Sequence, residues 1–538
     1  MKCPNCSGTL YFDIKNQNLK CRHCSATFSV DEYHKSNAAE ENFFEGARLY
    51  TCRNCGAQLM SNDDEAVTYC NYCGSQQLLE SEMTGVNEPK RIIPFKITKS
   101  ECKRIYKKEL KGKFYVPKEF KDPDFIDRFR PFYIPYWMYH VKFRDDEFSL
   151  PGSKFYTRGG YDYIEDYEVT TSIKDKGLYG VPFDASRNFD DSIAEEIAPF
   201  KKEGLEDYKE GYLAGMYADV PNVDGGIYED EVLDKATELA VRDIKTGLGG
   251  IELKFPRGIK KQREFLDARY ESEEAVYLPV WFLTWRKGDR VAYAVVNGQS
   301  GKIHIDLPAD IGQFLSYTLL GAAALFVLLS LFVTVTSRFV LWFAALLAYL
   351  VARRYRKELK LVRDRENHVF DKGYLLEEGD RLPMSEKQRA RLRRKGNRSI
   401  GWEIVKIVLL SMLSFIGMGI LGALYDELVS QTGAMVMTFI IAVLEVINFL
   451  RTMSIAVYLK NKRSLLFALV TLAAIDYAFI VGATTPVQDW WYYLGALAAL
   501  VAASLMCVDL LIRFNETATR PLPSFYNRKG GNDDEKDY

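Results

Sequence analysis

Eight of the ten cysteines fall in two frames of identical spacing. Cys3, Cys6, Cys21 and Cys24 read C-x2-C-x14-C-x2-C, and Cys52, Cys55, Cys70 and Cys73 repeat it residue for residue. Four thiolates on two tight knuckles make a tetrahedral cage for structural Zn2+, so the spacing predicts two zinc sites. A small residue follows each pair (Ser7, Ser25, Gly56, Gly74) and lets the knuckle close with its amides facing sulfur. Between the knuckles, "TLYFDI" and "AVTYC" alternate as short strands do. A redox C-x-x-C would stand alone beside a βαβ unit, and disulfides would need an oxidising compartment and a leader for which "MKCPNC" leaves no room. Four thiolates per metal leave no open coordination position, so the sites are expected to be staples, each folding about its own ion.

Charge narrows what these modules touch. Residues 1–80 hold seven Lys or Arg against ten Asp or Glu, and each Zn(Cys)4 centre adds about −2 more. Nucleic-acid binding needs a basic face, so protein contact is the expected use.

The net charge of −1 and 48% hydrophobic content describe an ordinary soluble chain only because two unlike halves are averaged. After Pro308 six apolar stretches follow: Phe314–Thr336, the short Phe339–Ala352, Trp402–Tyr425, Ala434–Leu459, Ser464–Ala483 and Trp491–Ile512. Twenty apolar residues cross a bilayer as a helix, so these predict about six spans. Residues 353–398 carry sixteen Lys or Arg and "KNKR" (460–463) is basic, whereas "SR", "DELVSQTG" and "TTPVQDW" are nearly free of positive charge. The alternation predicts a multi-pass cell-membrane protein with both termini cytoplasmic and "DWWYYL" in the outer aromatic belt. The Asn515-Glu516-Thr517 sequon then never meets a glycosylating lumen.

Between cysteines and membrane lies an α+β region. Thr98 and Glu101 form a capping box and Gly112 a stop, predicting a helix over 99–111; further helices are expected at 192–202 and 229–247. Residues 90–130 hold fourteen basic and six acidic side chains, either a solvated face or a patch for anionic headgroups or an acidic partner. "FYIPYWMYHVKF" (132–143) and "VYLPVWFLTWR" (276–286) share Pro-x-Trp followed by aromatics; they are expected as core strands, with a ligand-binding aromatic slot as the alternative, and their likeness suggests an internal duplication. The expected fold is multidomain. It comprises zinc ribbons at 1–30 and 48–80, an α+β domain with antiparallel sheet at 90–310, and an all-α membrane domain. The membrane domain divides into a hairpin (313–354), a basic loop (355–400), a four-helix region (401–513) and a tail (514–538).

The ribbons resemble those of transcription factor IIB. With "IIPFKITKSE", "YIPYW" and "YLPVWFLTWR…NGQSGKI" ahead of membrane helices, the first 310 residues resemble a group of Gram-positive bacterial tandem-ribbon membrane proteins, loosely labelled relatives of the primosomal helicase. No G-x-x-x-x-G-K-[ST] loop occurs, which removes the helicase reading. Some of the group resemble partners of phage-shock-type membrane-stress systems, so the resemblance points to membrane stress; the expected role is a scaffold or sensor working with lipids and with cytoplasmic or membrane proteins, the alternative a small transporter or channel with a zinc-ribbon regulatory domain.

No G-x-S-x-G or H-E-x-x-H is present, the five histidines are scattered, and Cys102 and Cys507 have no evident partner, so an enzyme is not expected. Glu445, Arg451 and Asp476 stand inside predicted spans, where charge is costly and functional by default. Either they form an interhelical ion pair, with Glu445 and Asp476 at similar depth, or they line an ion or proton path of a small transporter. The oligomeric state is left open.

Overall fold

The structure, a computed structural model, describes residues 1–36, 48–61, 70–76, 78–81, 89–173, 177–186, 189, 191–221, 223, 225–246, 250–330, 336–366 and 431–523. Its strands are β1 (Leu10–Asp13), β2 (Asn18–Cys21), β3 (Thr27–Phe28), β4 (Arg48–Cys52), β5 (Gln58–Ser61), β6 (Leu78–Ser81), β7 (Arg91–Ile92), β8 (Arg130–Lys142), β9 (Phe148–Arg158), β10 (Tyr161–Thr171), β11 (Gly177–Asp184), β12 (Glu206–Asp207), β13 (Tyr217–Asp219), β14 (Glu252–Leu253), β15 (Arg269–Lys287), β16 (Arg290–Asn297), β17 (Ile303–Ile305) and β18 (Arg520–Pro521). Its helices are α1 (Val30–Ser36), α2 (Lys99–Leu110), α3 (Pro123–Ile126), α4 (Asp191–Ile197), α5 (Glu229–Thr246), α6 (Ile259–Phe265), α7 (Ile311–Ser330), α8 (Ser337–Glu366), α9 (Gln431–Tyr458), α10 (Lys462–Thr484) and α11 (Trp490–Thr517).

The capping box forms at α2 as expected. The Glu101 amide donates to Thr98 Oγ1 (3.3 Å) and the Thr98 amide to Glu101 Oε2 (2.9 Å). Cys102, Tyr106 and Leu110, at helical spacing, bury one face of α2.

The two Pro-x-Trp strands are neighbours at the centre of a twelve-stranded sheet. In antiparallel register Tyr133 faces Pro279, Ile134 faces Leu278 and Pro135 faces Tyr277, so the motifs cross about a local two-fold axis. The surroundings obey the same symmetry. β13 runs parallel to β8 with Ala218 opposite Tyr133, and β7 runs parallel to β15 with Ile92 opposite Tyr277. Five residues past each of these, a carbonyl accepts the indole N–H of the other half's motif: Trp137 Nε1 donates to Val223 O and Trp281 Nε1 to Ile97 O, both at 2.8 Å. This is the geometry of an internal duplication, and it makes the sheet mixed rather than antiparallel. The repeats differ in the connection that leaves each central strand. β15 turns into β16 through Gly288-Asp289, whereas β8 reaches β11 only after the long hairpin β9–β10.

Both faces of the sheet are covered, which is why β8 and β15 are buried on alternate and intervening residues alike rather than half-buried. On one face Tyr133, Tyr277 and Trp281 pack with α2 and with Leu10, Phe12 and Leu19 of the first cysteine module. On the other Phe132, Val280 and Phe282 pack with α4 and with the second quartet. A separate cluster joins Tyr139 and Val141 to Val232, Leu233 and Ala236 of α5.

Three described helices are long and apolar enough to cross a membrane: Met435–Tyr458 of α9, then α10 and α11. Six spans were expected. The apolar part of α7 is shorter (Ile311–Ala324), and the expected span Trp402–Tyr425 lies outside the described residues. α8 begins apolar and packs through Leu341, Ala345, Ala348 and Tyr355 into the same core as the three spans, but it changes to "RRYRKELK" after Ala352. At the opposite end from the sheet, Ser337 Oγ donates to Asp489 Oδ1 (2.8 Å). There Trp490 and Trp491 stack with centroids 3.8 Å apart, exposed as an aromatic belt requires.

Candidate metal centres and the membrane joint

The four sulfurs of each quartet converge to within 4.8 Å of one another. In the first, Cys3–Cys24 and Cys6–Cys21 Sγ separations are 3.6 and 3.5 Å; in the second, Cys52–Cys73 and Cys55–Cys70 are 3.5 and 3.7 Å. Zinc bonded tetrahedrally to four thiolates at ~2.3 Å sets its sulfurs about 3.8 Å apart, so both cages fit that ion. The residues after each pair carry the strain of the turn: φ is +58° at Ser7, +60° at Ser25, +77° at Gly56 and +69° at Gly74. Turning the backbone this way lets the amides of His23 and Cys24 approach Cys21 Sγ, each at 3.4 Å. The His23 side chain itself is exposed.

The two centres are differently housed. In the first, Cys3 and Cys21 are buried while Cys6 and Cys24 are exposed. Its strands β1–β3 form their own small sheet, docked by the Phe12 amide on Ala214 O (2.9 Å) and by the Phe12–Tyr212 ring contact. In the second all four cysteines are buried. Its strands are continuous with the central sheet, β5 pairing with β13, so it is no separate module. Three successive knuckle carbonyls are held by the far repeat: Asn71 O by the Thr284 hydroxyl, Tyr72 O by Tyr293 OH (2.7 Å), and Cys73 O by Arg286 Nη1 (3.3 Å). The Tyr72 ring sits edge-on between Phe132 and Phe282, and its hydroxyl donates to the Asp219 carboxylate, which also receives Ser186 Oγ. Burial, then the negative charge of Asp219, holds this phenol protonated well above its usual range.

The sheet is also joined to the membrane helices. After α11 the chain pairs with β16 as β18, and Arg520 Nε reaches Asp306 Oδ2 at 3.2 Å. His304 stands beside it, with Nδ1 2.5 Å from Glu196 Oε2 and Nε2 3.3 Å from Asp306 Oδ1. Burial alone would depress the imidazole; hydrogen bonds to Asp306 and Glu196 outweigh it and raise the pKa to about 9. Arg290 donates to Thr519 Oγ1 (2.7 Å) and Glu516 O (2.6 Å). Asn515, the sequon asparagine, exchanges two hydrogen bonds with the backbone of Ala309 just before α7.

Within the helices, a Cβ at Gly482 would come 2.7 Å from Thr438 Oγ1, so α9 and α10 cross closely there. Seven residues on from Thr438 and six back from Gly482, each a step of ~1.5 Å, Glu445 and Asp476 reach the same depth. Glu445 is fully buried, receives Asn448 Nδ2 (3.2 Å), and lies in the field of Arg356 on α8. Arg451 is exposed, and among the described residues it pairs with neither carboxylate. The expected ion pair through Arg451 is therefore not what the helices bring together. A stripe of buried polar side chains, Thr438, Glu445, Asn448 and Thr452, runs along α9 instead.

Sequence reasoning did not single out Tyr72, Asp219, Asp306 or Arg520. The one available signal was the tyrosine within "CNYC", where the first module has "CRHC".

Fold and sites together define a membrane protein bearing two four-cysteine metal sites on opposite faces of one sheet-rich domain. The chain is similar to the uncharacterized protein YdjG of Bacillus subtilis (strain 168), 26% identical over 306 residues that cover 56% of this chain and 88% of that protein. No family model and no solved structure matches it.

Proposed function

We propose that the chain is a membrane-held adaptor, with Zn2+ in both cysteine cages and its sheet domain presented to the cytoplasm to receive a protein partner. One observation carries this reading. The tail of the last membrane helix becomes a strand of the sheet that also holds the second cage, so the metal site, both repeats and the membrane exit share one hydrogen-bonded sheet. Such a joint suits a protein that fixes a partner's position at a membrane, and ribbons of acidic balance suit a protein partner over nucleic acid. The resemblance to tandem-ribbon bacterial membrane proteins makes membrane stress the proposed setting. Purification of the full chain from native membranes in mild detergent tests it. A stoichiometric soluble partner retained at the membrane supports the adaptor; a chain that remains alone under every growth condition overturns it.

The buried polar stripe on α9 favours a second reading, a proton or cation path, because polar side chains inside spans either bind helices together or carry ions. Proteoliposomes of the purified chain showing a flux abolished by Glu445→Gln would establish that reading instead.

A further inference from the structure

The duplication shows which part of the domain the fold does not require. The second repeat joins β15 to β16 by a two-residue turn, and the same junction in the first carries β9–β10. The base of this hairpin is core: Phe148 and Leu150 are buried and β14 pairs with Gly152 and Ser153. Beyond Ser153 it projects clear of the domain, with Phe155 59%, Ile164 63% and Tyr161 73% exposed. Large apolar side chains held in solvent on a regular strand mark a contact surface.

The surface is ordered in advance. Tyr156 and Tyr163 stack at 5.4 Å, and Glu165 accepts both Tyr156 OH (2.6 Å) and Tyr167 OH. Rigid tyrosines give contact area at small entropic cost. β10 is moreover the edge of its three-stranded sheet, so an eleven-residue strand offers its outer backbone groups. Its charges are all of one sign, Asp162, Glu165, Asp166 and Glu168. With Lys154 and Arg158 on β9 the hairpin totals two positive and four negative, −2. A second copy pairing antiparallel through β10 would set carboxylates against carboxylates, and an anionic lipid surface would be repelled.

Deepening the adaptor reading on which it rests, we propose that β10 is the docking edge for that partner, which adds an extended, positively charged segment as a fourth strand, its basic side chains alternating onto the face of Asp162, Asp166 and Glu168 and its intervening side chains onto the tyrosine face. The experiment places a photo-crosslinking phenylalanine analogue at position 163 of the full-length chain in cell membranes and identifies the attached peptides by mass. The expected adduct is a net-positive segment of another protein, reduced more than about fivefold by the double charge reversal Asp162→Lys/Glu168→Lys. A parallel variant replaces residues 154–165 by Asn-Gly, joining Ser153 to Asp166, which already face each other in register. It should melt as the parent does and lose the partner. Adducts with a second copy only, with lipid only, adducts indifferent to charge reversal, or no adduct overturn the docking edge. If the shortened chain keeps its partner, the adaptor reading stands and this edge falls; if the parent itself has none, both fall.

Discussion

The phenol of Tyr72, inside a metal knuckle, donates to the carboxylate of Asp219, which ends the strand lying against the first repeat. One hydrogen bond thus ties the second cysteine cage to the centre of the duplicated sheet. Removing a donor to a buried carboxylate costs about 1.5–3 kcal/mol, because the charge keeps its burial and loses one of its donors. Tyr72→Phe should lower the melting temperature of the detergent-solubilised chain and speed metal loss from the second cage. Unchanged melting would mean that Ser186 Oγ and the Val220 amide satisfy Asp219 without the phenol.

Elemental analysis should return two zinc per chain, released by a chelator in two phases. Cys6 and Cys24 are exposed, so the first cage opens without unfolding, whereas the second must wait for the sheet to open. Cys6→Ser should leave one zinc and a folded sheet. Cys55→Ser should cost far more, because its cage shares a core with Phe132, Val280 and Phe282. Limited proteolysis would show the difference as new cuts in the central sheet for the second variant alone. Equal proteolysis of both would contradict the separate housing of the two cages.

The cysteine cages were legible because ligand spacing is local chemistry, and the two aromatic strands because burial demands apolar runs. Their crossing was not, since Pro135 opposite Tyr277 is set by pairing across more than a hundred residues. For the same reason the second ribbon reads as an independent module in one dimension and proves to be an edge of the sheet. The Asp306–Arg520 contact joins positions at opposite ends of the membrane region, and no periodicity records such a pairing. The intramembrane carboxylates were legible by their cost in lipid. Their partner was not, because Arg451 lies on the correct helix but on its outer side.

The His304 bracket gives the fold a pH dependence whose sign follows from the raised pKa. An unfolded histidine titrates near 6.5 and the folded one at about 9, so the folded state holds its proton more tightly. The stabilisation is fully present below pH 6.5 and is lost as pH rises through 9, a difference on the order of 3 kcal/mol. Glu196 and Asp306 face the ring directly, and Arg520 shares Asp306. Between pH 7 and 9.5 the parent should lose more stability than His304→Gln, and the two curves should converge at the alkaline end. Parallel curves would place His304 outside this linkage.

The membrane charges give the last test. Because Arg451 is exposed and unpaired with either carboxylate, Arg451→Leu and Asp476→Leu should act independently, their effects on melting adding to within about 0.5 kcal/mol. Glu445 and Asn448 should not. Asn448→Leu strips the hydrogen bond from a fully buried carboxylate and should destabilise by about 0.6–2 kcal/mol. Adding Glu445→Leu removes the stranded charge and lets an apolar pair fill the interface, so the double variant should recover most of that loss. Recovery of stability together with partner retention at the membrane fits helices whose polar stripe serves as glue. Recovery of stability with loss of a measured proton flux in proteoliposomes would assign Glu445 to conduction, since an apolar pair can hold helices together but cannot carry a proton.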